Sequence, residues 1–221
     1  MTDGSTVRIF IVDDHPIVRE GLTQLINREP DLEVCGEASD AATALRAIGK
    51  LKPDVAVVDI SLGGMSGLQL VKQITAPPNK VAALVLSMHD ERVYAERALH
   101  AGAQGYIMKQ QATKKMVAAI RRVVAGDVYL SEQLTARMMH KLVRGKSAAP
   151  ASPVEALTDR ELEVFELVGK GYKAGQIGEQ LHLSVKTVET YREHIKNKLD
   201  LADATELTRH AIEWVHGERG E

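Results

Sequence analysis

Only one cysteine, Cys35, stands among the 221 residues, so no disulfide can form within the chain. No basic-then-apolar segment at the N-terminus announces export, and a reducing cytoplasm is the expected compartment. No apolar run approaches the ~18 residues that a membrane span needs, so no membrane partner is expected. A basic excess is missing as well: 28 Lys+Arg face 30 Asp+Glu, a formal net charge of −2. Whole-chain charge thus gives no sign of the positive balance common in dedicated nucleic-acid binders, and the arrangement of charge has to decide. The eight histidines show no paired zinc-ligand spacing. Neither an internal repeat nor a low-complexity run is present. What is present is 44% hydrophobic content, too much for a disordered chain and enough for two ordinary domains with cores of their own.

Five short apolar or β-branched runs fill the first half: VRIFIV (7–12), LEVCG (32–36), VAVVDI (55–60), AALVLS (82–87) and GYIM (105–108). Between them lie segments with helical spacing. Ile17, Val18, Leu22, Leu25 and Ile26, for instance, recur at steps that keep one helix face apolar. Five alternations of strand and helix predict a doubly wound α/β domain, a five-stranded parallel sheet covered on both faces. After about residue 127 the pattern changes to one helix-like segment at 129–143. GKSAAPASPVEA follows, without hydrophobic period, and reads as a linker. Residues 157–216 carry helix signals only, four helices of roughly 10–16 residues, opened by a capping box at Thr158 and Glu161. The expected organisation is one domain at 6–127, a connecting helix and linker at 128–156, and an all-α four-helix domain at 157–217.

IFIVDDHP, at 9–16, runs an apolar strand straight into two like charges. In an open α/β sheet, ligands bind outside the carboxyl ends of the strands. Asp13 and Asp14 end the first strand, Asp59 nearly ends the third, Ser87 ends the fourth and Lys109 follows the fifth, so all five are expected on one edge. Three adjacent carboxylates cannot all stay ionised without a compensating cation, and an incomplete oxygen cage suits Mg²⁺. With Lys109 as a fixed charge and Ser87 as a hydroxyl donor, such an edge stabilises a phosphoryl group in transfer, and Asp59 is the natural nucleophile. A plainer reading of Asp13 and Asp14 is that they cap the helix opening near Pro16.

These residues resemble the receiver domain of two-component response regulators, a flavodoxin-like fold, over 6–127. The matches are V-D-D-H-P at 12–16, V-V-D-I-S-L at 57–62, L-V-L-S at 84–87 and G-A-Q-G-Y-I-M-K at 102–109. The resemblance implies that Asp59 is the phosphoacceptor and that Asp13, Asp14, Asp59 and the Ser61 backbone carbonyl hold Mg²⁺. It also implies that Lys109 contacts the phosphate, that Ser87 swings towards it, and that Tyr106 rotates inward behind Ser87. The donor would be a sensor histidine kinase. Gly63 and Gln110 depart from the prolines common in the family, and neither change removes a reacting group.

In the second block, KAGQIGEQLHLSVKTVETYREHIKNKL (173–199) places Ala174, Ile177 and Leu181 on one helix face, a short His-Leu turn, and Ser184 as the N-cap of a second helix. Two helices across a turn of a few residues suggest helix-turn-helix. At about 100° per residue, Val188, Tyr191, Ile195 and Leu199 share the inward face. Lys186, Glu189, Thr190, Glu193 and Asn197 share the outward one, flanked by His194 and Lys196. Such a face can read base edges in a major groove, or it can be an ordinary solvated face. Residues 150–221 hold 9 Lys+Arg against 14 Asp+Glu, yet 184–199 hold four basic residues against two acidic. Any positive footprint is confined to this helix.

LTDRELEVFELVGKGYKAGQIGEQLHLSVKTVETYREHIKNKL is similar to the LuxR-type DNA-binding domain. Receiver followed by this domain is the arrangement of the NarL/FixJ class of response regulators. The resemblance implies a transcription regulator that binds double-stranded DNA half-sites as a homodimer, with contacts from Lys186, Thr187, Glu189, Thr190, Arg192, Glu193, Lys196 and Asn197. The last helix, near 203–216, would support dimerisation, and Trp214 there is core or dimer contact. Gly175 and Gly178 depart from the family's usual lysine or asparagine and alanine, which should weaken the scaffold helix. Glu189 and Glu193 stand where several relatives carry lysine. Carboxylates accept from cytosine N4 and are repelled by phosphate, so a cytosine-bearing target is expected.

Two rivals have their own signatures. A Mg²⁺-dependent aspartyl-phosphate phosphatase usually wants an Asp-x-Asp nucleophile motif and a cap insertion; the acidic pair here is adjacent, and no cap-sized insertion exists. A phosphorylation-independent regulator acting through receiver contacts would not need the five-residue set. The chain is therefore expected not to be an enzyme beyond chemistry on its own Asp59. Met138 and Met139 are expected to pack the connecting helix, Cys35 to be a small buried hydrophobe, and His15 to be no Mg²⁺ ligand because the ion prefers oxygen.

Overall fold

The computed structural model describes residues 6–144 and 153–217. Two compact units divide the chain, residues 1–144 and 145–221. In the first, strands β1 (Val7–Val12), β2 (Leu32–Ala38), β3 (Val55–Asp59), β4 (Ala82–Ser87) and β5 (Gly105–Met108) alternate with helices α1 (Pro16–Ile26), α2 (Ala41–Leu51), α3 (Gly67–Thr75), α4 (Glu91–His100) and α5 (Ala112–Val124). The strands are parallel in the order β2-β1-β3-β4-β5. Strand order therefore reverses between β1 and β3, which opens a crevice at their carboxyl ends.

Period-two alternation divides the core between the two faces. Ile9, Ile11, Val55, Val57, Leu84 and Leu86 share one cluster with Leu22 and Ile26 of α1 and Met116, Ile120 and Val123 of α5. Phe10, one residue out of phase, lies under α2: a Cβ at Gly36 would meet its ring at 2.8 Å and Leu51 at 3.0 Å. Burying each such aliphatic side chain contributes about 1.5–3 kcal/mol. Helix starts are set locally by Asp40, Ser66 and Asp90, whose side chains accept from the N–H groups of Thr43, Gln69 and Arg92.

Several expectations are corrected. Ile17 is 83% exposed, and in α1 only Leu22 and Ile26 are fully buried. The helix expected from 129 is α6 (Glu132–Arg144) and starts later. Tyr129 is bound to the free edge of β5, accepting from the Tyr106 N–H at 3.0 Å and donating to the Gln104 carbonyl at 2.8 Å. Ser131 then opens α6, its Oγ accepting from the Leu134 N–H at 3.1 Å and donating to Glu91 at 2.5 Å. Met139 faces outward rather than packing the helix. Cys35 is half-buried, and burial pushes its thiol up, away from the reactive thiolate.

The second unit holds α7 (Asp159–Gly169), α8 (Ala174–Leu181), α9 (Val185–Leu199) and α10 (Ala204–Gly217). The capping box forms: Thr158 Oγ1 accepts from the Glu161 N–H at 3.4 Å, and Glu161 accepts from the Thr158 N–H at 2.7 Å. α7 is the buried centre and packs on α9 and α10. Phe165 meets Trp214 with ring centroids 5.7 Å apart, which supports the core reading of Trp214. At Gly169 a Cβ would overlap the Ala211 carbonyl, so glycine sets how closely α7 and α10 approach. α8 has only 8 residues, shorter than expected, because His182 turns left-handed with φ 52° and the Leu183 N–H closes onto Gly178 at 2.8 Å. The expected linker falls partly outside the described residues; Pro153–Ala156 at its end form a short 3-10 turn.

Candidate functional site

At the crevice between β1 and β3, the strand ends deliver the expected side chains to one place. Asp13 and Asp59 are almost fully buried, 1% and 2% exposed. Lys109, just past β5, reaches both: its Nζ lies 2.8 Å from Asp13 Oδ2 and 2.8 Å from Asp59 Oδ2. Burial pushes the Asp59 carboxyl up and Asp13 adds to it, against the opposing Lys109 ammonium and Ser61 backbone N–H. Burial alone would depress the Lys109 ammonium, but Asp59 and Asp13 outweigh it and hold its pKa above the usual value.

The capping reading of the acidic pair fails. α1 has His15 at its N-cap position without a side-chain cap bond and no acidic residue in its first turn. Asp13 instead accepts from the His15 N–H at 2.9 Å, and its carbonyl accepts from Arg19 at 2.7 Å. Asp14 lies 2.6 Å from His15 Nδ1. One ligand atom each from Asp13, Asp14, His15 and Asp59 lies within 4.8 Å of the others. Three carboxylates gather beside one ammonium, and the donors are oxygens apart from the His15 nitrogen. That donor set fits a hard dication such as Mg²⁺. It is the only such group of His, Cys, Asp and Glu side chains among the described residues.

Ser87 and Tyr106 meet through His89. The His89 N–H donates to Ser87 Oγ at 3.0 Å, and its carbonyl accepts from the Tyr106 hydroxyl at 2.8 Å. His89 Nε2 lies 2.8 Å from Ser61 Oγ, and the imidazole stacks on Tyr94 with centroids 4.4 Å apart. Tyr106, for which an inward rotation was implied, is already inward and buried. Gly67 also escaped sequence reasoning: a Cβ there would overlap the Asp59 carbonyl, and its N–H donates to the Ile60 carbonyl at 2.8 Å. The close approach of α3 to the loop after β3 thus needs glycine. The run GGMSG was the available signal, but it does not tell which glycine is in contact.

In the second unit, the expected outward face of α9 forms. Lys186, Glu189, Thr190, Glu193 and Asn197 are exposed, whereas Val188 and Ile195 are buried. Thr187 and Arg192 are half-buried, as is Lys196. Ser184 caps α9, accepting from the Thr187 N–H at 3.0 Å, and its hydroxyl meets that of Thr187 at 2.7 Å. The Thr190 hydroxyl donates to the Lys186 carbonyl at 3.0 Å. Arg192 pairs with Glu189 at 3.1 Å and Lys196 with Glu193 at 2.7 Å. Lys198 turns away to Glu161, at 2.7 Å, tying α9 to α7.

Comparison with known proteins gives both halves a family. Residues 9–121 match the response regulator receiver domain, and residues 155–211 match the bacterial regulatory proteins of the luxR family. The oxygen regulatory protein NreC of Staphylococcus haemolyticus is 36% identical over 210 residues, covering 93% of this chain and 97% of NreC. A LuxR-family two-component response regulator from Aurantimonas sp. SI85-9A1 is 37% identical with a TM-score of 0.58, over 63% of this chain and 99% of that one. RcsB from Salmonella enterica serovar Typhimurium, bound to promoter P1flhDC in the presence of phosphomimetic BeF3-, gives a TM-score of 0.61 at 23% identity. It covers 94% of this chain and 98% of RcsB, a likeness of fold. No helix among the described residues is long and apolar enough to cross a membrane. With a receiver fold around an acidic crevice and a luxR-type helical domain after it, the chain belongs to the LuxR family of two-component response regulators.

Proposed function

We propose that this regulator is switched by phosphorylation of Asp59 and then engages DNA through α9. The observation that carries the reading is the convergence of Asp13, Asp14, Asp59 and Lys109 at the β1/β3 crevice, with the acceptor buried and paired to one ammonium. A carboxylate oxygen of Asp59 attacks the phosphorus of a phosphohistidine on a sensor kinase. The P–O bond forms, the P–N bond breaks, and the leaving imidazole nitrogen keeps the bonding pair and takes a proton from solvent. Asp13, Asp14, Asp59 and the Ser61 carbonyl would hold Mg²⁺, which supplies charge neutralisation for the phosphoryl oxygens. Lys109 stabilises the same oxygens and offsets the burial that pushes Asp59 towards its protonated form.

Ser87 and Tyr106 supply the two-state element. Their shared link to His89 means that a phosphoryl group drawing Ser87 Oγ rearranges the β4–α4 loop and the Tyr106 hydroxyl together. The regulator works in the cytoplasm as a homodimer on paired DNA half-sites. Lys186, Thr187, Glu189, Thr190, Arg192, Glu193, Lys196 and Asn197 form the reading surface. Residues 6–127 act as the receiver, 128–156 as the connection and 157–217 as the DNA-binding domain.

A random-duplex selection with the full chain tests this, run with and without acetyl phosphate plus Mg²⁺ and in parallel with Asp59→Asn. The expected result is enrichment of a two-fold related site only with phosphodonor and only in the parent. Equal enrichment in every arm would separate DNA binding from Asp59 and reject the switch.

A further inference from the structure

We infer that α9 holds its own DNA-directed cations in check, and that Glu189 and Glu193 are the specificity-determining residues, selecting duplexes with cytosine at two positions per half-site. This rests on the DNA-reading function proposed above. α9 carries four cations: Lys186, Arg192, Lys196 and Lys198. Three are in ion pairs, Arg192 with Glu189, Lys196 with Glu193 and Lys198 with Glu161. Lys186 alone among them has no ion pair with another described residue. Within the two intrahelical pairs the carboxylates stand further out: Glu189 and Glu193 are 54% and 62% exposed, against 22% and 18% for Arg192 and Lys196. At each of these two pairs an approaching group therefore meets the carboxylate before the cation.

Phosphate is repelled by that arrangement, whereas the cytosine N4 amino group donates to a carboxylate. When a base donor satisfies Glu189, Arg192 is released to swing to a backbone phosphate, and Glu193 and Lys196 repeat the exchange one turn on. Base reading and phosphate attraction are thereby coupled, and a duplex without the donors gets neither. The two carboxylates are four residues apart, about 6 Å along the helix axis. With a base-pair rise of about 3.4 Å, a helix lying along the groove sets them over bases about two pairs apart. Exposed pairs of this kind are individually weak, so they open readily for the right sequence, and the gain lies in discrimination rather than in stability.

The test uses the full chain with acetyl phosphate and Mg²⁺, the duplex enriched by the parent, and an unrelated duplex. Fluorescence anisotropy follows the parent, Glu189→Gln, Glu193→Gln and Arg192→Gln over a salt series. Replacing either cytosine is expected to weaken the parent about tenfold. Glu189→Gln should bind the unrelated duplex about three- to tenfold more tightly, with a steeper salt dependence because Arg192 is freed for phosphate. It should also shift the preference at its cytosine to adenine, the base that glutamine reads with both amide atoms. Arg192→Gln should weaken the enriched duplex and leave the unrelated duplex nearly unchanged, since only the enriched one releases Arg192 to phosphate. If Glu189→Gln and Glu193→Gln leave salt slope and base preference as in the parent, while the parent binds its own duplex, the inference fails and the DNA-reading function stands. A parent that enriches no duplex overturns both.

Discussion

At the carboxyl edge of the sheet, one ammonium serves two buried carboxylates, and the members of this group bear on stability in opposite senses. Without Lys109, Asp13 and Asp59 would face each other in a nearly dry site. Breaking a buried pair from the cation side costs about 3–5 kcal/mol. Lys109→Met is therefore expected to destabilise the first unit by about that amount in urea titrations, and millimolar Mg²⁺ should recover more stability in the variant than in the parent. Asp59 has the other sign. Its carboxyl is pushed up by burial and by Asp13, so its favourable contribution is present below the ordinary carboxylate range and is lost as pH rises through the folded-state value. Asp59→Asn is expected to melt higher than the parent at pH 8, with the gap closing towards pH 4. A gap that widens as pH falls would show that Lys109 outweighs burial.

Elements in this chain were legible where a period and a cap agreed. All five strands were marked by short apolar or β-branched runs, and the starts of α7 and α9 by Thr158 and Ser184. Less legible was anything set by a partner distant in sequence. Tyr129 reads as helix until the free edge of β5 claims its backbone, and Ile17 reads as core yet stands in solvent. The two glycines of α8 make the same point. Both were expected to weaken the helix, yet a Cβ at Gly175 meets nothing within 4 Å, whereas one at Gly178 would lie 2.7 Å from the Leu183 carbonyl oxygen. Gly175→Ala should stabilise the second unit by about 0.5–1 kcal/mol, and Gly178→Ala should not. Fluorescence of Trp214, the one tryptophan, reports both. The α7–α9 tie adds a pH dependence. Burial pushes the Glu161 carboxyl up, but Lys198 and the Thr158 N–H outweigh it and hold it below the ordinary range. Its contribution is present above the ordinary value of 4.5 and is lost as pH falls through the folded-state value. Acid titration of Trp214 fluorescence should show the second unit loosening there, and Glu161→Gln should remove that step along with part of the stability at neutral pH.

At the scale of the whole molecule, sequence disclosed two domains because composition changes twice, from alternating strand and helix to a polar stretch and then to helix alone. It also placed the acidic crevice, because each contributing residue ends a strand or follows one. What it could not assign was the wiring between loops: Ser61 to His89, His89 to Tyr106, and Ser131 to Glu91 are pairings that no period reveals. Two compact units with separate cores have a thermodynamic consequence that calorimetry can read. A ligand stabilises what binds it, by about 2.7 kcal/mol at a concentration 100 times its Kd. The acidic crevice lies wholly within the first unit, and the only tryptophan lies in the second. Heating is expected to give two transitions. Mg²⁺ should raise the first, while the transition followed by Trp214 fluorescence stays where it was. In Asp13→Asn the Mg²⁺ shift should shrink, since one of the three carboxylates no longer carries charge. A tryptophan transition that moves with Mg²⁺ to the same extent as the first would instead show that the units unfold as one cooperative body, and the proposed switch would then have to act through coupling already present before any phosphoryl group arrives.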